Sequence, residues 1–242
     1  MKLKLFFSVF VIISILLTGA AFANTLILQP GSSDGIDTYL GWSDSPSFLT
    51  GTHGSEGNIY VSDRPFLGRY GVGLIQFDLP STLTGAVITS ATMGLYLCDT
   101  YKEYSDTAID VFRVTSSWNE STVQYPNIPT YDSSSPLASF IPKNYVTTSV
   151  GMGGNAPYWV EIDITEALKK WVNGDWDNYG MLLDVNGSGT SALFYSSDFG
   201  TASLRPKLEV NYSSSTTPIP GAVWLLGSGL FGLIGLKKKL KD

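Results

Sequence analysis

Ten short stretches of this chain alternate or cluster in the manner of β-strands, and that pattern leaves little room for another class of fold. They read TLILQ, IDTYL, NIYVS, GLIQFDL, ITSATMGLYLC, AIDVFRV, WVEIDI, GMLLDV, ALFYSS and KLEVNY. β-Branched and aromatic residues dominate them, and clusters of Gly, Pro, Ser, Asn and Asp separate them. In one run Ile75, Phe77 and Leu79 point one way and Gln76 and Asp78 the other. In another, Leu208, Val210 and Tyr212 oppose Lys207, Glu209 and Asn211. Period two is what a half-buried strand requires. Ten such runs between residues 24 and 212 imply an all-β, two-sheet sandwich.

One segment breaks the pattern. In DITEALKKWVNG, Ile164, Leu168, Trp171 and Val172 recur at helical spacing. Thr165 suits the N-cap, Gly174 the stop, and Asp163 favours the helix start through its charge. A short helix against one sheet is expected. No repeat of 20–50 residues is present, which argues against a solenoid or propeller.

The two ends are unlike the middle. Lys2 and Lys4 precede an uncharged stretch from Leu5 to Leu17, and Ala21-Phe22-Ala23 follows. That is the order of a secretory signal peptide over residues 1–23, cleaved after Ala23. At the other end SSSTT, residues 213–217, reads as a flexible linker. Gly221 to Leu236 carries no charge, and as a helix it would be roughly 24 Å long. Trp224 and snorkelling lysines would extend that towards a bilayer core of about 30 Å. Lys237, Lys238, Lys239 and Lys241 place the far end in the cytoplasm.

Pro218-Ile219-Pro220, the Gly-rich apolar segment and the basic end together resemble the PEP-CTERM sorting signal of Gram-negative bacteria. The resemblance covers residues 218–242 and departs from the family at Ile219, where a Glu is usual. It implies an exported protein, held transiently in the inner membrane by a transmembrane helix over 221–236. An exosortase-type enzyme would then process it for release or surface attachment. A lipid-anchor signal shares the small residues and the apolar stretch but ends apolar, not basic.

Charge belongs to the middle. Of 15 Lys and Arg and 21 Asp and Glu, six lysines and Asp242 fall in the two ends, so nine bases face twenty acids in residues 24–212. A duplex-binding role is excluded by the lack of clustered Lys and Arg, so no nucleic-acid partner is expected. Cys98 is the only cysteine and reads as a small buried residue on a strand.

Six blocks then occur in order: GLIQFDLP, ITSATMGLYL, VFRVTSSWNESTV, WVEIDITEALKKWVNG, NYGMLL and RPKLEVNY. Together they resemble the DNRLRE domain, grouped with carbohydrate-binding module family 96, although Tyr125 stands where that family often has a second Trp. The resemblance implies a jelly-roll-type β-sandwich over residues 24–212. It also implies a non-catalytic module that binds polysaccharide or belongs to an extracellular matrix or cell surface. The rivals are a structural or adhesive surface protein and a polysaccharide-cleaving enzyme working through carboxylates.

No catalytic set is evident. His53 is the only histidine, and its polar loop GTHGSEG reads as surface, so Ser-His-Asp and His-rich zinc sites lack support. Glu161 and Asp163 share a strand face about 6.6 Å apart, a spacing open to a glycosidase pair but common on solvated strands. Sugars present CH faces to aromatic rings and hydroxyls to polar groups. Trp42 and Trp176 in loop-like stretches, with Tyr39, are therefore the candidate platforms, while Trp118 and Trp171 read as core and Trp159 as partly exposed. Arg69 and Arg113 are the candidate cations for an anionic sugar. No cofactor is implied, except that Asp175, Asp177 and Asn178 form an oxygen-rich turn open to a structural Ca²⁺.

Overall fold

The computed structural model describes residues 23–43, 51–102, 107–142 and 157–213. Ala21, the sorting motif Pro218, Ile219 and Pro220, residues 214–217 of the linker and the expected span 221–236 lie outside the described residues. Among the described residues no helix is long and apolar enough to cross a membrane.

The described residues of the compact unit Asn24–Tyr212 form eleven strands and one short α-helix, with three single-turn 3-10 segments between them. In chain order they are β1 (Ala23–Leu28), β2 (Ile36–Ser43), β3 (Asn58–Arg64), β4 (Arg69–Gln76), β5 (Val87–Lys102), β6 (Ala108–Arg113), β7 (Ala138–Phe140) and β8 (Tyr158–Asp163). Helix α1 (Thr165–Val172), β9 (Met181–Asn186), β10 (Thr190–Tyr195) and β11 (Lys207–Ser213) follow. All ten expected runs form strands. The eleventh, β7, is three residues long, too short to show alternation.

The strands join one curled antiparallel sheet in the order β1-β11-β5-β10-β3-β4-β9-β6-β7, with β2 on β4 and β8 on β5. Two separate sheets were expected; the difference arises because long strands change partners along their length. β2 pairs with all of β4, from Ile36 opposite Gln76 to Ser43 opposite Arg69. The other edge of β4 is shared: Gly71 to Arg69 pairs with β3, and Gly73 to Ile75 pairs with β9. Gly73 stands where β3 and β9 diverge, and a Cβ there would fall 2.7 Å from Ile59 Cγ2 and 3.1 Å from Val61 Cγ2. β5 likewise has three partners: β11, β8 through Thr92–Leu97 and, on the opposite edge from β8, β10 through Leu97–Lys102.

Curling brings the inward side chains of the strands into one core. Ile59, Val61, Ile75, Leu95, Ile109, Val111, Leu183, Phe194 and Val210 are all buried there. Each such side chain contributes about 1.5–3 kcal/mol on leaving water. A second cluster covers the opposite side of β2, β4 and β9. Leu40, Val72, Leu74 and Leu182 meet Val114, Val123, Trp118 and Tyr131, which arrive from the segment after β6. Trp118 fixes that cover by donating from Nε1 to the Tyr179 carbonyl at 2.9 Å. β4 is thus buried on both faces, which explains its unbroken apolar centre.

Helix α1 begins one residue earlier than its sequence suggests. Ile164 occupies the N-cap, and Thr165 is the first helical residue. Asp163 Oδ1 accepts from the Thr165 N–H at 2.8 Å and from its hydroxyl at 2.5 Å. The same Thr165 oxygen accepts the Ala91 N–H at 2.9 Å, stapling the helix to β5. Gly174 (φ 76°) follows the helix C-cap, where only glycine is unstrained.

Candidate functional site

The described strands leave the sheet open. Among the described residues β7 is paired only with β6 and β8 only with β5. These two edges touch without pairing, and beside them lies a cleft of about 720 Å³. That is the size of a small-ligand site. β7 gives it Ser139 and Phe140, the outward face of β8 gives Glu161 and Asp163, α1 gives Glu166 and Lys169, and Thr89 and Ser90 come from the start of β5. Trp176, from the turn after α1, forms part of its wall.

Trp176 is held from behind. The guanidinium carbon of Arg113 lies 4.3 Å from its ring centroid, a cation–π distance. Arg113 in turn reaches Asp132 Oδ2 at 3.4 Å. The Asp132 carboxyl is held below the usual range, first by the Ser134 hydroxyl and backbone N–H and then by Arg113. Two residues expected to contact sugar, Trp176 and Arg113, are therefore brought together. Arg113 acts here as a prop for the ring, not as a free cation.

Charges in the cleft are mixed but mainly acidic. Lys169 is tied to Glu166 at 2.7 Å, and Lys170 outside it to Asp175 at 3.1 Å. The Thr165 hydroxyl and N–H hold the Asp163 carboxyl below its ordinary value, so it stays ionised and is unsuited to donate a proton. Asn178 is spent on the turn: its amide donates to the Phe77 carbonyl at 2.9 Å and accepts the Gly180 N–H at 3.2 Å. Asn178 is thus engaged in the turn, and Asp175 by Lys170. Among the described residues no group of three or more His, Cys, Asp or Glu is arranged around a point where a metal would sit.

The other expected platforms lie elsewhere. Trp42 closes β2 opposite Tyr70 and stacks with Tyr70 at 5.6 Å and Tyr125 at 4.8 Å. Arg69 is next to Tyr70 at the start of β4, and neither Trp42 nor Arg69 lines the cleft. Tyr39 is a core residue, 6% exposed, and not a surface platform. Its ring stacks on His53 at 4.0 Å, and its hydroxyl donates to Glu56 Oε2 at 2.9 Å. His53 is correspondingly buried, against the reading of its loop as surface, with Nδ1 2.7 Å from Glu56 Oε1. The polar loop hides this because the ring that covers it comes from β2. Cys98 is half-buried, its Sγ 3.1 Å from the Leu193 carbonyl, and burial pushes its thiol up to about 11.

Phe140, Ser139, Glu166 and Lys169 were not singled out in the sequence. β7 has no alternation to mark it, and the helix residues look like an ordinary solvated face. An aromatic wall, hydroxyls and carboxylates in an open cleft can stack on and hydrogen-bond a flexible polar ligand.

Two comparisons bear on this geometry. A family model described as carbohydrate-binding module family 96 matches residues 37–212. No curated protein matches the chain.

Proposed function

The chain belongs to carbohydrate-binding module family 96, and from that membership we propose that residues 24–212 form a non-catalytic module that binds polysaccharide in the Trp176 cleft. The observation that carries the reading is a Trp ring set in the wall of an open cleft and braced by Arg113. Sugar CH faces stack on such a ring, and Ser90, Ser139, Thr89 and the carboxylates supply hydrogen bonds to hydroxyls.

Delivery belongs to the same proposal. Residues 1–23 export the chain of a Gram-negative bacterium with cleavage after Ala23, and the linker 213–217 leads to the sorting signal at 218–242. The segment 221–236 holds it transiently in the inner membrane until an exosortase-type enzyme acts at Pro218-Ile219-Pro220. The product is then a cell-surface or secreted matrix component. Mass spectrometry of the mature protein, reading both termini, tests this; an intact cytosolic chain would overturn it.

For the cleft, affinity electrophoresis of the full chain in gels cast with glucan, xylan, mannan or polygalacturonate, with and without Ca²⁺, is the direct test. Retardation by one polymer is expected, weakened about tenfold by Trp176→Ala, the loss of one stacked ring. Equal mobility in every gel sinks the reading.

A further inference from the structure

The outward face of β8 does not stop at the cleft. Trp159, Glu161 and Asp163 alternate with buried Val160 and Ile162, and Glu161 and Asp163 line the cleft. Trp159 stands on the same face, about 7 Å further along the strand. A row of rings crosses the sheet from there. Trp159 meets Tyr96 of β5 edge to face at 5.3 Å, Tyr96 stacks with Tyr195 of β10 at 5.6 Å, and Tyr195 stacks with Phe199 at 3.4 Å. Lys207 of β11 places Nζ 4.6 Å from the Trp159 centroid.

Gly94 makes the floor of this row. It lies opposite Glu161 in register, and a Cβ there would fall 2.7 Å from Lys207 Cε and 3.3 Å from Trp159 Cε3. Trp159 and the lysine stem therefore lie over bare backbone. All four rings are half-buried, and none belongs to the buried core. The open face of an antiparallel sheet ordinarily carries polar side chains. Rings in unbroken contact there are surplus to core packing and mark a place of contact with something else.

We infer that this row is a second set of sugar contacts, continuous with the cleft through β8, so that one polysaccharide chain lies from Trp176 past Glu161 to Trp159 and on towards Tyr195. The inference rests on the cleft being the sugar-binding site. The occupant is a glycan because the row runs directly into that cleft along a single strand face. Its surroundings are also polar: Lys207 and Glu209 of β11 flank it, and Asn211 of the same strand bonds Ser90 of the cleft at 3.0 Å. An apolar protein partner would want a continuous greasy patch, whereas a sugar chain uses flat rings set among donors and acceptors.

A path of this kind makes affinity depend on ligand length. A disaccharide fills only the cleft, while an octasaccharide reaches both platforms. The test uses the full chain and oligosaccharides of two to eight sugars cut from whichever of the four polymers retards it most, with binding read by titration calorimetry. Trp159→Ala and Tyr195→Ala should each weaken octasaccharide binding about tenfold and leave disaccharide binding at the wild-type value. Trp176→Ala should weaken every length. If Trp176→Ala weakens binding but both row variants match wild type at all lengths, the row is structural; the inference falls and the cleft reading stands. If Trp176→Ala binds as wild type, or no polymer retards the chain, both fall together. Thermal melts accompany each variant, and should Trp159→Ala fail to fold, Tyr195→Ala decides alone.

Discussion

A carboxylate in a protein interior is expensive unless hydrogen bonds replace its water, and Asp37 shows how incompletely that can be done. It is 2% exposed and accepts the Ser197 N–H at 2.9 Å. Glu120 lies close enough to accept the Asp37 N–H at 2.8 Å. Burial raises the Asp37 carboxyl from the ordinary 3.8 to about 7; Ser197 opposes this, and Glu120 and Asp198 add to it. Folded Asp37 keeps its proton up to about pH 7, while the unfolded chain releases it near 3.8. Between those values the unfolded state binds fewer protons, so stability falls as pH rises through the window and levels off above it. Asp37→Asn should flatten the melting temperature between pH 4.5 and 7.5, removing a slope worth on the order of a few kcal/mol. An unchanged slope would assign it to Glu120 and Asp198, whose carboxyls are also raised by burial. None of this was legible in IDTYL, because the groups that bury Asp37 arrive from residues 120 and 197. Trp176 drew notice because a large ring in the loop-like GDWDN is hard to explain by packing; the structure sets it partly against the core and partly in the cleft wall.

Elements were read more surely than their partners. Alternation found ten strands because the face a residue occupies is written locally. It could not show that β4 and β5 change partners midway, since pairing is chosen by residues far along the chain. Helix α1 illustrates both halves. Its apolar spacing was plain, yet the job of Thr165 became visible only against β5, where its oxygen takes the N–H of fully buried Ala91. Thr165→Val keeps the shape and removes that acceptor, leaving a buried donor unsatisfied at a cost of about 1–3 kcal/mol. In a domain of this size the melting temperature should drop by roughly 2–4 °C per kcal/mol. The cleft should suffer with it, because Thr165 and Asp163 both line it. A variant that melts like wild type would show that water replaces the hydroxyl at Ala91.

At the scale of the whole molecule, the field around the domain is set by nine bases against twenty acids in residues 24–212. Lys169, Lys170 and Arg113, on the elements around Trp176, are each held by a carboxylate. A polyanion approaching the module therefore meets a repulsive surface first, whatever the short-range fit of the cleft. Repulsion of that kind reaches about 10 Å at 0.1 M salt and about 3 Å at 1 M, and it acts mainly on the rate of encounter. For a neutral polymer the argument predicts retention nearly independent of salt, since stacking and hydrogen bonding are local. For polygalacturonate it predicts weak retention at low salt that strengthens as NaCl is raised from 0.05 to 0.5 M, the reverse of what a basic sugar-binding surface would give. Parallel affinity gels at the two salt concentrations distinguish these cases. If polygalacturonate binding is instead tight at low salt and lost at high salt, a local basic patch governs recognition. The acidic balance of the domain would then be a property of its solubility alone.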